Sequence, residues 1–404
     1  MTACLTEDLA QTDQTRRHRA GSAWTDRGTQ GLVSAGTPGW RVSVDCHMRA
    51  VELLDGLPIG ENTDYLADLG AAWVNLGCAL QSDPSRQSLA KALEAFERGV
   101  DLLGRLPFGD NPRFRHNLAA AWMNRADAFS QIDTATSRSR ALEAYARAIE
   151  VAGELPLDEK PSFRVLLASC WINLGNLQQR MGGFRGAVHA YDGAVAAIGS
   201  LPKTGHRLAR HHAATAWTNR GEALLAESPA GGAGESVESA RTALAQLGGR
   251  DMGGAADAKL ALRALHVMAR GLEAELRAGA SHGPLEIAAL TDVAERGMGL
   301  AFANRGAAPD VFDPFVLWFF SFGSRAYGLY QPQFLAEYLA EALQGLEPNA
   351  RSELAIGLRA IALKAAAGAL EGLGRNRLLI QGTRQTELLM GAVRDLRALV
   401  QFHS

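Results

Sequence analysis

Four asparagines, Asn75, Asn124, Asn173 and Asn219, each stand two positions after a tryptophan (Trp73, Trp122, Trp171 and Trp217), and Asp26 takes that place after Trp24. A primary amide offers an acceptor and two donors, so a column of them can pair with both the C=O and the N–H of a peptide backbone, whatever side chains that peptide carries. Asparagine is also a poor interior helix former, and its return at one register position asks for a reason. Three residues beyond each amide come Cys78, Asp127, Asn176 and Glu222, and four before it come Ala71, Ala120, Ser169 and Thr215. One helical face would then carry polar groups that bond and small groups that let an extended chain approach. The competing account is that the amides bond to a neighbouring helix or to solvent as part of a repeat.

Other chemistry is sparse. Arg115, Arg164 and Arg210 precede three of the tryptophans by seven residues. They read as an edge column of salt bridges, with a phosphate or carboxylate clamp as the alternative. His206, His211 and His212 are offset by five and six residues, not by the four that put two imidazoles on one helix face, so no metal site is expected. Cys4, Cys46, Cys78 and Cys170 show no C-x-x-C spacing and read as reduced. Adjacency of Cys46 and His47 in sequence does not make a nucleophile–base pair. There is no G-x-S-x-G, P-loop or H-E-x-x-H. No catalytic residue, metal or cofactor is expected.

The elements that must position these residues are set by a period. Trp24, Trp73, Trp122, Trp171 and Trp217 recur at intervals of 49, 49, 49 and 46. The pairs Leu57-Pro58, Leu106-Pro107, Leu155-Pro156 and Leu201-Pro202 each precede the next tryptophan by a constant 15 residues, counted from the proline. Three residues are therefore missing inside the fourth unit. A fixed period with its length change confined to one place is how stacked supersecondary units behave. Leu66, Leu69, Trp73, Leu76 and Leu80 have helical spacing, residues 81–85 break it, and Leu89, Leu93, Phe96, Val100 and Leu103 resume it. Each unit is thus a helix hairpin, with turns near Pro84, Ala135, Gly182 and Gly231. The recurring Gly77, Gly175 and Gly221 imply close helix–helix approach. Trp122 is expected to be buried between its two helices. Two positions is about 200° around a helix, so an amide two beyond such a tryptophan faces away from the hairpin partner.

These units resemble the tetratricopeptide repeat family, whose pattern runs W-x2-L-G-x2-Y, A-x3-F and P. Trp171, Leu174, Gly175, Phe184, Ala187, Tyr191, Ala194 and Pro202 carry it most fully, with Gln178 in place of the first tyrosine. Trp73, Leu76, Gly77, Ala92 and Phe96 carry it in the second unit, and Trp122, Ala141, Tyr145 and Ala148 in the third. The match covers roughly residues 8 to 250. The departure is length: the family's unit is about 34 residues, while this one is 49, and the excess between proline and tryptophan would lengthen the first helix at its N-terminus. Some members of the family hold an extended peptide with an asparagine ladder in their groove. The resemblance implies that use for Asn75, Asn124, Asn173 and Asn219, with Asp127, Asn176 and Glu222 beside them.

After residue 250 the period is lost, but helical patterns continue over 255–279, 284–304, 314–330, 333–346, 350–373 and 376–402. Ten of the 27 aromatic residues fall between Phe312 and Tyr338. They read as the core of a helical cap, the alternative being an exposed patch for a partner or for self-association. The expected fold class is all-α: an α-solenoid of tetratricopeptide-like hairpins over 8–250 and a helical C-terminal region over 251–404. A net charge of −2 and a pI near 6.6 argue against nucleic acid or an anionic membrane as partner. The start is polar, and the longest strongly apolar stretch, 311–322, is interrupted by Asp313 and falls short of the roughly 20 residues of a membrane helix. The expectation is a cytoplasmic, non-catalytic adaptor or scaffold that binds a protein or extended peptide in its groove. Its rivals are a ligand-responsive sensor acting through the C-terminal region, and an enzyme with its site between array and cap.

Overall fold

The computed structural model describes residues 2–34, 39–60, 62–83, 85–109, 111–199, 207–248, 254–278, 284–306, 308–327, 357–358, 360–361 and 394. Among them are thirteen helices and no strand: α1 Thr2–Ser34, α2 Gly39–Asp55, α3 Thr63–Gln81, α4 Arg86–Gly104, α5 Pro112–Ile132, α6 Ala135–Gly153, α7 Pro161–Arg180, α8 Phe184–Ile198, α9 Arg207–Glu227, α10 Ala233–Leu247, α11 Ala255–Ala278, α12 Pro284–Arg305 and α13 Pro309–Tyr327. The chain forms two compact units, Met1–His212 and Ala213–Ser404. The division falls within α9, whereas the period is lost only after residue 250.

Unit 1 is a helical-repeat array in which α1 pairs with α2, α3 with α4, α5 with α6 and α7 with α8. The second helices α2, α4 and α6 each pack on the next first helix, and successive first helices touch directly: α1 on α3, α3 on α5, α5 on α7. Local signals explain the boundaries. Asn62 and Asn111 cap α3 and α5 by accepting from the backbone N–H two residues on, and Pro112 and Pro161 open their helices where an N–H would be orphaned anyway. The first helices therefore start at Thr63, Pro112, Pro161 and Arg207, ten residues before each tryptophan. Ser85 caps α4, and Thr134 and Ser137 form a capping box on α6. The missing residues of the fourth unit come out of its second helix, for α8 has 15 residues against 19 in α4 and α6.

The second and fourth hairpins close through glycine. A Cβ on Gly77 would lie 2.5 Å from the Phe96 ring, and one on Gly175 would lie 2.6 Å from that of Tyr191. Phe96, Tyr145 and Tyr191 occupy one register position of α4, α6 and α8 and are 0%, 2% and 0% exposed. Trp122 is not the buried residue that its periodicity implied. It is half-buried, borders the cores of the second and third hairpins, and stacks under the Arg125 guanidinium at 5.1 Å. The space between the helices is already filled by the second-helix ring, so the indole bridges neighbours instead.

In unit 2, α10 packs on α11, α11 on α12 and α12 on α13. One core runs through Leu225, Val237, Leu262, Leu265, Val293, Phe312, Phe319, Phe320 and Phe322. The described part of the aromatic segment is therefore interior, while residues 328–338 lie outside the described residues, as do most of the helices expected after residue 333. The helix read as starting at Pro314 begins at Pro309, with Pro314 inside it. No helix among the described residues is long and apolar enough to cross a membrane.

Candidate binding face of the first helices

Asn124 and Asn173 lie where the first helices of successive hairpins in unit 1 meet. Asn124 on α5 donates from Nδ2 to Cys78 Sγ on α3 at 3.3 Å, and Asn173 on α7 donates from Nδ2 to Asp127 Oδ1 on α5 at 3.1 Å. In both cases the asparagine of one unit bonds the residue five after the tryptophan of the unit before. The amides thus staple neighbouring hairpins, which accounts for their register. One N–H and the carbonyl oxygen of Asn124 and of Asn173 remain without a partner among the described residues, as does the whole side chain of the half-buried Asn75.

The second-helix rings reach this face through their hydroxyls. Tyr145 donates to Asp127, and Tyr191 lies 2.9 Å from Asn176 Oδ1 and 2.9 Å from Gln179 Oε1. In sequence both tyrosines stand only at repeat-marker positions. His47 holds the matching place on α2, 49 residues before Phe96. It is buried over Gly28, and neither ring nitrogen has a hydrogen-bond partner. Burial pushes it down to about 4, so it packs as a neutral ring.

In unit 2 the same pair of positions is filled differently. Asn219, 5% exposed, and Glu222 both accept from Arg263 of α11: Nη2 lies 2.8 Å from Asn219 Oδ1, from Glu222 Oε1 and from Glu222 Oε2. Asn219, expected to face the groove with the other three amides, is instead buried against α11. The arginine column is partly in salt bridges, with Arg115 on Glu154 at 3.1 Å and Arg164 on Asp158. The Arg210 Nε is buried without a partner. His211 and His212 have ring centroids 6.5 Å apart, His206 lies outside the described residues, and no group of three potential metal ligands forms among the described residues.

Asp127 dominates the electrostatics. Burial pushes its carboxyl up to about 6, against the opposing pull of the Tyr145 and Asn173 hydrogen bonds and of Arg180. Burial and then the Asp127 charge push the Cys78 thiol up to about 11 and that of Cys170 to about 12, so both stay protonated and unreactive at neutral pH. The sign of the linkage is set by comparison with an unfolded Asp near 3.9: the folded chain holds this proton more tightly, so stability falls as pH rises from about 4 to about 6. Asp127→Asn keeps an acceptor for both donors and removes the buried charge. It is expected to stabilise the chain at pH 7.5 by about 1–2 kcal/mol, discounted for partial exposure and read as a raised urea midpoint, and to change little at pH 4. A midpoint lowered equally at both pH values would contradict this electrostatic assignment.

No protein-family model matches this sequence, and no curated protein matches it. Among solved structures the chain is similar to the apo form of RapI, at 10% identity and a TM-score of 0.44, over 87% of this chain and 99% of that one. It is similar to BtubC (BKLC) from P. vanneervenii at 14% identity and a TM-score of 0.38, over 78% of this chain and 96% of that one. It is also similar to the APC/C hetero-tetramer Cut9-Hcn1 at 12% identity and a TM-score of 0.22, over 96% and 88%. At identities and scores this low the likenesses bear on neither partner nor activity, and the fold rests on the helix pairing above.

Proposed function

We propose that the chain is a long-unit, tetratricopeptide-like array that works as a non-catalytic adaptor, binding an extended protein segment along the first helices of unit 1. The observation that carries the reading is the state of Asn124 and Asn173. Each is fixed to the preceding hairpin through its Nδ2, Asn124 on Cys78 and Asn173 on the Asp127 carboxylate, yet among the described residues each keeps its carbonyl oxygen and one N–H without a partner of its own. A preorganised amide with both functions free matches the alternation of a peptide backbone and loses little entropy on binding. The raised thiols of Cys78 and Cys170 make a nucleophile on this face unsupported.

The test is capture of a pool of random, end-capped octapeptides by the full chain and by the Asn124→Ala, Asn173→Ala double variant. A neutral hydrogen bond contributes about 0.5–1.5 kcal/mol net, so each change should weaken capture roughly three- to tenfold and the pair by more. Helical circular dichroism should be retained. Undiminished capture by a folded double variant would leave these asparagines as hairpin staples and move the binding surface elsewhere.

A further inference from the structure

The fifth unit shows what an asparagine and a carboxylate at these two positions can hold. Asn219 and Glu222, three residues apart on α9, together grip the Arg263 guanidinium through contacts of 2.8 Å to Asn219 Oδ1 and to both Glu222 oxygens. Asn124 and Asp127 are the same pair in the same register on α5.

Among the described residues Asp127 has no ion-pair partner. Its Oδ1 takes the Tyr145 hydroxyl and the Asn173 amide at 3.1 Å, while Oδ2 has only a long 3.4 Å contact to that same amide. Arg180 on α7 acts on the carboxyl electrostatically, with no ion pair between the two among the described residues. The equivalent positions in the neighbouring hairpins of unit 1, Cys78 and Asn176, carry no charge. A carboxylate so enclosed is costly without a countercharge, and a group that lowers stability at neutral pH is more often kept for a ligand than for packing.

We propose that the first-helix face of unit 1 selects a segment carrying a cationic side chain, guanidinium or ammonium, seated on Asp127 between Asn124 and Asn173. This rests on the backbone-binding role of the same face. The amides would hold the main chain without regard to sequence, and Asp127 would set which residue stands at the centre. Oδ2, held only by the 3.4 Å contact to the Asn173 amide, and the Asn124 carbonyl oxygen would offer a planar guanidinium two acceptors, as Glu222 and Asn219 do for Arg263.

Four pools of end-capped octapeptides, random except for a fixed arginine, lysine, citrulline or glutamate near the centre, test this on the full chain. Citrulline keeps the shape of arginine without its charge. The arginine and lysine pools should be captured about tenfold better than the citrulline pool, with the advantage reduced at high salt and the glutamate pool excluded. Asp127→Asn should erase that preference while still capturing the citrulline pool. Equal capture of the arginine and citrulline pools by the unaltered chain would overturn the cation site and leave the backbone-binding role standing. A preference that persists in a folded Asp127→Asn variant would overturn the site as well. If no pool is captured, both readings fail together.

Discussion

Phe96→Ala is expected to lower the unfolding free energy by about 3–5 kcal/mol, as a large-to-small change at a fully buried ring. Phe96 is 0% exposed and packs on the Gly77 backbone. Its loss opens a void under two helices held at close approach, which cannot collapse without breaking the hairpin. Gly77→Ala alone should destabilise for the opposite reason, since its Cβ would lie 2.5 Å from that ring. Combined, the two changes should be less damaging than their sum, because the added methyl partly fills the space that the ring vacates. The third hairpin already pairs Ala126 with Tyr145 at these positions, so the geometry tolerates a methyl when the ring shifts. Trp122→Ala should cost less than Phe96→Ala, about 2–3 kcal/mol, but it should loosen two hairpins, because its ring borders both cores. Denaturant midpoints of the three single variants and the double variant decide the packing. Strict additivity of Phe96→Ala and Gly77→Ala would mean that the two residues do not meet.

Helix placement was legible because its signals are local. The caps Asn62, Asn111, Ser85 and Thr134 and the prolines at 112 and 161 sit beside the boundaries they set. A constant distance from proline to tryptophan carried that information from unit to unit. The depth of a side chain was not legible. Periodicity assigns a face, but only the packed hairpin reveals that the second-helix ring takes the interior and leaves the indole half-buried at the seam. The partner of Asn219 was hidden for another reason: Arg263 lies 44 residues further on, in α11, a helix that lacks the tryptophan marker. Pro314 reads as the opener of α13, yet the helix begins five residues earlier at Pro309 and runs through Pro314. The candidate binding face was legible as a register of residue types. Its charge state was not, since the shift of Asp127 depends on its burial and on the Tyr145, Asn173 and Arg180 groups that α6 and α7 bring to it.

A chain ended at residue 254, near where the period stops, is expected to be insoluble or to bind a hydrophobic dye. The repeat pattern alone would suggest that such a fragment holds a complete array. The core of unit 2 contradicts that, because Leu225 of α9 and Val237 and Ala240 of α10 share one apolar cluster with Leu262, Leu265 and Val267 of α11 and with the α12 and α13 residues behind them. Ala243 and Leu247 likewise pack with Leu260, Ala261 and Ala264. Removing α11 onward uncovers this surface along the last hairpin, and arrays need a polar outer face on their terminal unit to stay soluble. The same cut removes Arg263, so Asn219 and Glu222 lose the guanidinium that joins α9 to α11. A fragment ended at residue 206 should behave better, because it retains the four hairpins that cluster as unit 1 and stops before α9. Size-exclusion chromatography, dye fluorescence and far-ultraviolet circular dichroism on the two fragments separate the outcomes. A soluble, fully helical monomer from the 254 truncation would mean that α9 and α10 belong energetically to the repeats before them, and that the period, not the shared core, marks where the array ends.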